Sequence, residues 1–322
     1  MAEMERLLSV SEPWLAYCIR LHLLHEDKGA LTELKREVLQ DKRIQAYLAD
    51  AANFHGVLVR NHKNPELPIH RLLFLLDIGL GRDVPEIERA TGEIMRHKDG
   101  RGIYQSLTNV PTHFGGMGED VFGWCLCDAP LLLLALLKAG IAYDRHIKQG
   151  ADSLAGLCRE QGFPCAVSPE HGKFRGPGRK DDCCPYATLA MLRLLAEIPE
   201  YQNKEVVRKS VHILLSLWEN SLQRHPYMFY MGTDFRKLKA PAMWYDIVSV
   251  ADCLSKFACA KEDARFMEMV RLIEAKRGED GLFVPEAVYL KCKGWDFGQK
   301  KAPSPYLTFL CERIMRRLPS AR

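Results

Sequence analysis

At 322 residues, 47% of them apolar and 27% charged, the chain has the composition of a folded protein with a large core, which excludes disorder for all but its ends. A net charge of +4 is too small to imply nucleic acid as a partner. The longest apolar run, residues 129–140, is about half the roughly 20 residues of a bilayer span, and the N-terminus lacks the features of a secretory signal, so a cytoplasmic protein with no transmembrane segment is expected.

In chain order, a proline stands near the start of an apolar helical segment six times: Pro13, Pro68, Pro130, Pro185, Pro241, and Pro303 or Pro305. The spacings are 55, 62, 55, 56 and 62 residues. Proline suits the first helical turn because its missing N–H would be unbonded there and its φ is preset, so each one predicts a helix start. Between these segments lie amphipathic ones at 30–40, 83–98, 144–160, 203–222 and 262–277, with apolar residues at three- and four-residue spacing. Alternation of apolar and one-sided helices predicts six helical-hairpin repeats forming an all-α (α/α)6 toroid, two concentric rings of helices in a single domain over residues 1–322. An open solenoid is the rival arrangement.

Turns from the apolar to the amphipathic helices are short, whereas the return loops at 99–127, 161–184, 223–240 and 278–302 are long, as functional loops are. In a toroid they open onto one rim. Three of them end in cationic clusters: Arg175, Arg179 and Lys180; Arg236, Lys237 and Lys239; Lys300 and Lys301. Converging cations suit a phosphate, diphosphate or carboxylate, and a single cluster of this kind is ordinarily just a solvated loop. Aromatic residues fall in the same loops and first helical turns. Trp124, Tyr186, Trp244 and Tyr245 are the candidates to line an apolar pocket, though rings so placed also serve simply to plug a core.

Eleven cysteines at irregular spacing, without an export signal, argue for reduced thiols. Cys125, Cys127 and Asp128 precede one apolar helix, and Asp181, Asp182, Cys183 and Cys184 precede the next. Thiolate, carboxylate and imidazole make a zinc set. Asp182 and Cys184, with Cys127 or His113 as neighbours, are the candidate ligands; against them stand the missing CxxC spacing and the absence of a histidine at the start of the following apolar helix. His113 and His171 lie in loops whose direction the sequence leaves open. Asp181 and Asp182 are also candidates for acid chemistry, one carboxyl kept protonated by its neighbour, with helix capping as the plain alternative.

These residues resemble the protein prenyltransferase and squalene–hopene cyclase superfamily of α/α toroids. RGPGRKDDCCPYATL is similar to the prenyltransferase segment in which Arg and Lys hold a diphosphate, a D-x-C pair ligates zinc and a tyrosine follows, implying Arg179 and Lys180, Asp182 and Cys184, and Tyr186 in those roles. The same aspartate pair is similar to the acid motif of the class II cyclases, but Arg179 stands where that motif's first aspartate belongs. The zinc histidine is absent where the prenyltransferases carry it. The resemblance implies a prenyltransferase- or terpene-cyclase-like protein binding a small hydrophobic ligand with an anionic head, with Arg175, Arg179, Lys180, Lys237, Lys239 and Lys300 around the head. A non-catalytic toroid gripping a peptide or protein, and a carbohydrate-active (α/α)6 enzyme with carboxylates facing across a cleft, are the alternatives.

Overall fold

A computed structural model describes residues 2–176, 182–223 and 232–318. It is mostly helical. In chain order the helices are α1 (Ala2–Ser9), α2 (Pro13–His22), α3 (Thr32–Gln40), α4 (Lys42–Ala52), α5 (Pro68–Asp77), α6 (Pro85–Arg96), α7 (Ala129–Lys138), α8 (Lys148–Ala155), α9 (Pro185–Leu195), α10 (Glu205–Glu219), α11 (Ile247–Leu254), α12 (Ala258–Lys261), α13 (Ala264–Glu274) and α14 (Pro305–Arg316). Pro13, Pro68, Pro130, Pro185 and Pro305 each occupy the first or second position of a helix, as the repeat predicts.

Pro241 does not. The helix of that repeat begins at Ile247, because Asp246 caps it: its carboxylate accepts the Ser249 N–H at 2.9 Å and the Ser249 hydroxyl at 2.8 Å. The segment 30–52 likewise holds two helices, divided at Asp41, whose side chain accepts the Arg43 N–H at 2.8 Å. Within the long loop 99–127 the sequence analysis did not expect strands. β1 (Ser106–Asn109) and β2 (Asp120–Gly123) form an antiparallel pair there, with Ser106 opposite Gly123 and Asn109 opposite Asp120. Ser106 and Thr108 point into the protein and Leu107 and Asn109 are half-exposed, the alternation of a one-sided strand.

The chain forms two compact units, residues 1–48, 74–80 and 233–322 in one and residues 49–73 and 81–232 in the other. In the second unit α7 is buried at every position from Ala129 to Leu136, as a helix apolar on all sides must be. It packs on α6, α8 and α9, and α9 packs on α8 and α10. Each fully buried leucine there contributes roughly 1.5–3 kcal/mol. In the first unit α11 packs on α13 and α14, and α14 also packs on α1 and α2. Trp14, Phe74, Trp295, Phe297 and Tyr306 form a cluster of rings, with neighbouring centroids 5.0 to 6.2 Å apart.

Burial pushes the Asp246 carboxyl up to about 6, against the opposing pull of its Ser249 hydrogen bonds and of Lys239. The folded chain therefore takes up this proton more readily than the unfolded one, and stability from this group is greatest below pH ~4 and declines as pH rises to ~6. The expected decline is ~2–3 kcal/mol at 1.36 kcal/mol per pH unit. It is read as the difference in denaturant unfolding free energy between wild type and Asp246→Asn from pH 4 to 7; a difference that stays constant over that range contradicts it.

Candidate metal centre

Three side chains of the second unit bring their donor atoms within 4.8 Å of one another: a ring nitrogen of His62, the thiol of Cys125 and a carboxylate oxygen of Asp128. Each is set by its own stretch of backbone. His62 follows a segment drawn onto β1, where Val59 bridges Thr108 and donates its N–H to the Leu107 carbonyl at 3.0 Å. A turn follows, in which the Asn61 side chain accepts the Lys63 N–H at 2.9 Å. His70, buried in the first turn of α5, lies with Nε2 2.7 Å from the His62 carbonyl. A carbonyl only accepts, so that nitrogen carries the proton and fixes the tautomer. Burial pushes the His70 pKa down to about 4, which keeps the ring neutral while it holds the His62 backbone.

Cys125 lies just beyond β2. Asp128 immediately precedes α7, and its Oδ1 accepts the Cys125 N–H at 3.0 Å. That bond turns Oδ2 toward His62, 3.5 Å from Nε2, beyond hydrogen-bond length. Asp128 is 1% exposed, and both Oδ2 and His62 Nε2 are buried without a hydrogen-bond partner. Such atoms cost about 1–3 kcal/mol each unless something satisfies them. The two atoms meet part of that need as a histidine–carboxylate contact at 3.5 Å, and a cation between them would meet the rest.

The electrostatics set what a bound cation would have to offset. Burial pushes the Cys125 thiol well above its ordinary range, with Asp128 and Cys165 adding to the effect. Burial also opposes ionisation of Asp128, but His62, Ser106 and the Cys125 amide outweigh it and lower its pKa. A thiolate and a carboxylate side by side in an apolar setting are tolerated when a dication lies between them. Imidazole, thiolate and carboxylate are all accepted by zinc, so the residues fit the group that the sequence analysis expects.

The cysteines singled out in the sequence do come together. The Cys127 thiol is hydrogen-bonded to that of Cys184, and Cys184 also bonds Cys165. Cys184 caps α9, its Sγ accepting the Ala187 N–H at 3.3 Å, so this capping falls to the thiol rather than to Asp182. Asp182 is half-buried, and it is His62, Cys125 and Asp128, not Asp182 and Cys184, that the three-donor group contains among the described residues. Tyr186 is buried at the start of α9, within electrostatic reach of Cys127, Asp128 and Cys184, and burial raises its phenol pKa. Trp124 is buried too, its indole N–H donating to Asp99 at 3.1 Å and the Arg101 guanidinium lying 5.1 Å from its ring centroid.

Arg175 is exposed. Arg179, Lys180 and Asp181 lie outside the described residues. In the first unit Lys237 pairs with Asp234 at 2.8 Å, and Lys239 sits 3.5 Å from the ring centroid of Tyr289. Tyr245 packs between Trp244 and Phe235, at centroid distances of 4.9 and 5.9 Å, and Lys300 is exposed. His113 is exposed on the surface. The imidazole that sequence reasoning sought ahead of a following helix instead comes from His62, ahead of α5. The available signal was positional: like Asp128, His62 stands shortly before a proline that starts an apolar helix.

Comparison with family models, with curated proteins and with solved structures finds no match to this chain. No described helix is long and apolar enough to cross a membrane.

Proposed function

We propose that the chain is a zinc-binding α/α toroid of the prenyltransferase and squalene–hopene cyclase type, in which the metal secures the loops that receive a hydrophobic ligand with an anionic head. The observation that carries the reading is the convergence of His62, Cys125 and Asp128 with two unpartnered buried atoms among them. Bound there, zinc supplies a fixed positive charge that holds the thiolate and carboxylate and raises the local potential for an anion. The ring arrangement is supported by the proline-marked helix starts, by packing of α7 on α9 in one unit, and in the other by packing of the last marked helix, α14, on the first, α2.

The ligand's head is assigned to Arg175, Arg179 and Lys180, residue types whose charge suits a phosphate or diphosphate. Trp124 and Tyr186 would form apolar wall near the metal. The test is titration of the purified protein with an isoprenoid diphosphate, and with inorganic diphosphate as the headgroup alone. Binding that weakens ~100- to 10,000-fold in the Arg179→Ala, Lys180→Ala double variant is expected, the loss of two charge-assisted hydrogen bonds worth ~1.5–3 kcal/mol each. No binding, or binding indifferent to both substitutions, overturns the assignment of the ligand.

A further inference from the structure

Near the three-donor group lies another buried imidazole, one without a hydrogen-bond partner. His171 ends a 3-10 turn, Pro169–His171, and is 1% exposed. Both of its ring nitrogens are buried without a hydrogen-bond partner. A neutral imidazole always presents one N–H and one lone pair, so two unpartnered nitrogens in one buried ring leave room for an ion or an ordered water as partner. The charges that reach this ring are Asp128, Glu170 and His62, the first and last being members of the group.

The backbone is built to bring His171 to that place. Its loop is laced to the strand exit that carries Cys125: Cys125 bridges Val167, the Leu126 N–H donates to the Ala166 carbonyl at 2.8 Å, and the Ser168 N–H to the Trp124 carbonyl at 2.8 Å. The Ser168 hydroxyl accepts the Trp124 N–H at 3.0 Å. At Gly123, on β2, a Cβ would lie 2.7 Å from Cε1 and Nε2 of His171 and 2.9 Å from the Ser168 hydroxyl. The strand therefore carries glycine where the imidazole comes against it. His171 is not one of the three donors already within 4.8 Å of one another, so closing on an ion requires its ring to shift toward them.

We infer that His171 is the fourth protein ligand of the metal held by His62, Cys125 and Asp128, making a closed, four-coordinate structural centre. This rests on the reading of those three residues as a metal site. Four protein ligands and no open position are the signature of zinc that staples rather than catalyses. The staple joins the segment before α5, the strand exit before α7 and the loop 161–172. The last leads on to Arg175, three residues beyond it.

The experiment is zinc affinity by competition with a chromophoric chelator, and cobalt substitution read by visible absorption, on wild type, His171→Ala and His171→Asn. Wild type is expected to bind one metal with the intense tetrahedral cobalt spectrum. Both variants are expected to lose at least ~100-fold in affinity, since loss of a partner that merely orients a ligand already costs 10- to 100-fold, and to give a weaker, shifted spectrum with water in the fourth position. Should His171→Ala fail to fold, His171→Asn, closer in size and shape, carries the test. Metal bound by wild type and by both variants with the same affinity and spectrum overturns the role of His171 and leaves the three-residue site standing. A wild type that binds no metal overturns both.

Discussion

Cys125→Ser is expected to abolish the zinc binding proposed at His62, Cys125 and Asp128, weakening affinity by more than ~100-fold, the upper range for changes that only disturb a ligand's surroundings. The substitution is nearly isosteric, so the fold around β2 and α7 persists while the donor changes from a soft, ionisable thiol to a hydroxyl that stays protonated. Burial already pushes the Cys125 thiol well above its usual range, which means the thiolate exists there only when a cation compensates it. Metal analysis of the dialysed wild-type and variant proteins measures the effect: about one equivalent retained by the wild type and none by Cys125→Ser. Asp128→Asn is expected to fall on the same side, because it removes the charge that faces His62 across 3.5 Å. Equal metal content in all three proteins contradicts the assignment.

Asp252→Ala is expected to destabilise the protein by ~3–5 kcal/mol, the cost of breaking a buried ion pair. Arg313 approaches Asp252 with two parallel hydrogen bonds of 2.8 Å, and Arg317 adds one of 2.9 Å to the same carboxylate and one of 3.0 Å to the Asp252 carbonyl. The side chains of Arg313 and Asp252 are only 13% and 14% exposed. Burial by itself would raise the Asp252 pKa, but Arg313, Arg317 and Lys256 outweigh it and hold the carboxyl well below the usual carboxylate range. Alanine leaves Arg313, on the buried side of α14, and Arg317, the partly exposed residue just after it, without this carboxylate. Denaturant unfolding at neutral pH measures the loss, which shrinks as pH falls below ~4, where the unfolded chain's carboxyl takes up a proton that the arginine-held native carboxylate still refuses. A change under ~1 kcal/mol, the range of exposed pairs, contradicts the buried-pair account.

The contrast between Asp252 and Asp246 shows what a sequence does and does not carry. Both are aspartates on or at the start of α11, yet one is held charged by arginines sixty-odd residues later in the chain and the other is pushed toward neutrality by burial, which its hydrogen bonds to Ser249 only partly oppose. Nothing local to either residue distinguishes them. Helix starts were legible because proline's fixed φ and missing N–H act locally, as at Pro68, Pro185 and Pro305. Pro241 misled for the converse reason: the capping carboxylate that sets the helix start lies five residues further on, at Asp246.

The candidate site was legible in halves. Cys125 and Asp128 stood out as a thiol and an acid just before an apolar helix, and Cys127 and Cys184 prove to be neighbours as their positions suggested. His62 was not legible, because what brings it in is Val59 joining the edge of β1, a pairing between distant segments inside a loop where no strand was expected. His171 was visible as a loop histidine whose direction the sequence left open. Its burial, and its idle nitrogens, are facts of tertiary structure alone. Arg179 and Lys180 remain an expectation drawn from sequence.

The measurement that tests the central claim most directly is zinc-edge X-ray absorption of the protein purified without chelators. The account predicts about one zinc per chain with a single sulfur at ~2.3 Å and its remaining neighbours nitrogen or oxygen at ~2.0–2.2 Å, the distances of thiolate, imidazole and carboxylate ligands. A shell of several sulfurs, which would move the site to the Cys127, Cys165 and Cys184 thiols, or a protein that carries no metal, would contradict it.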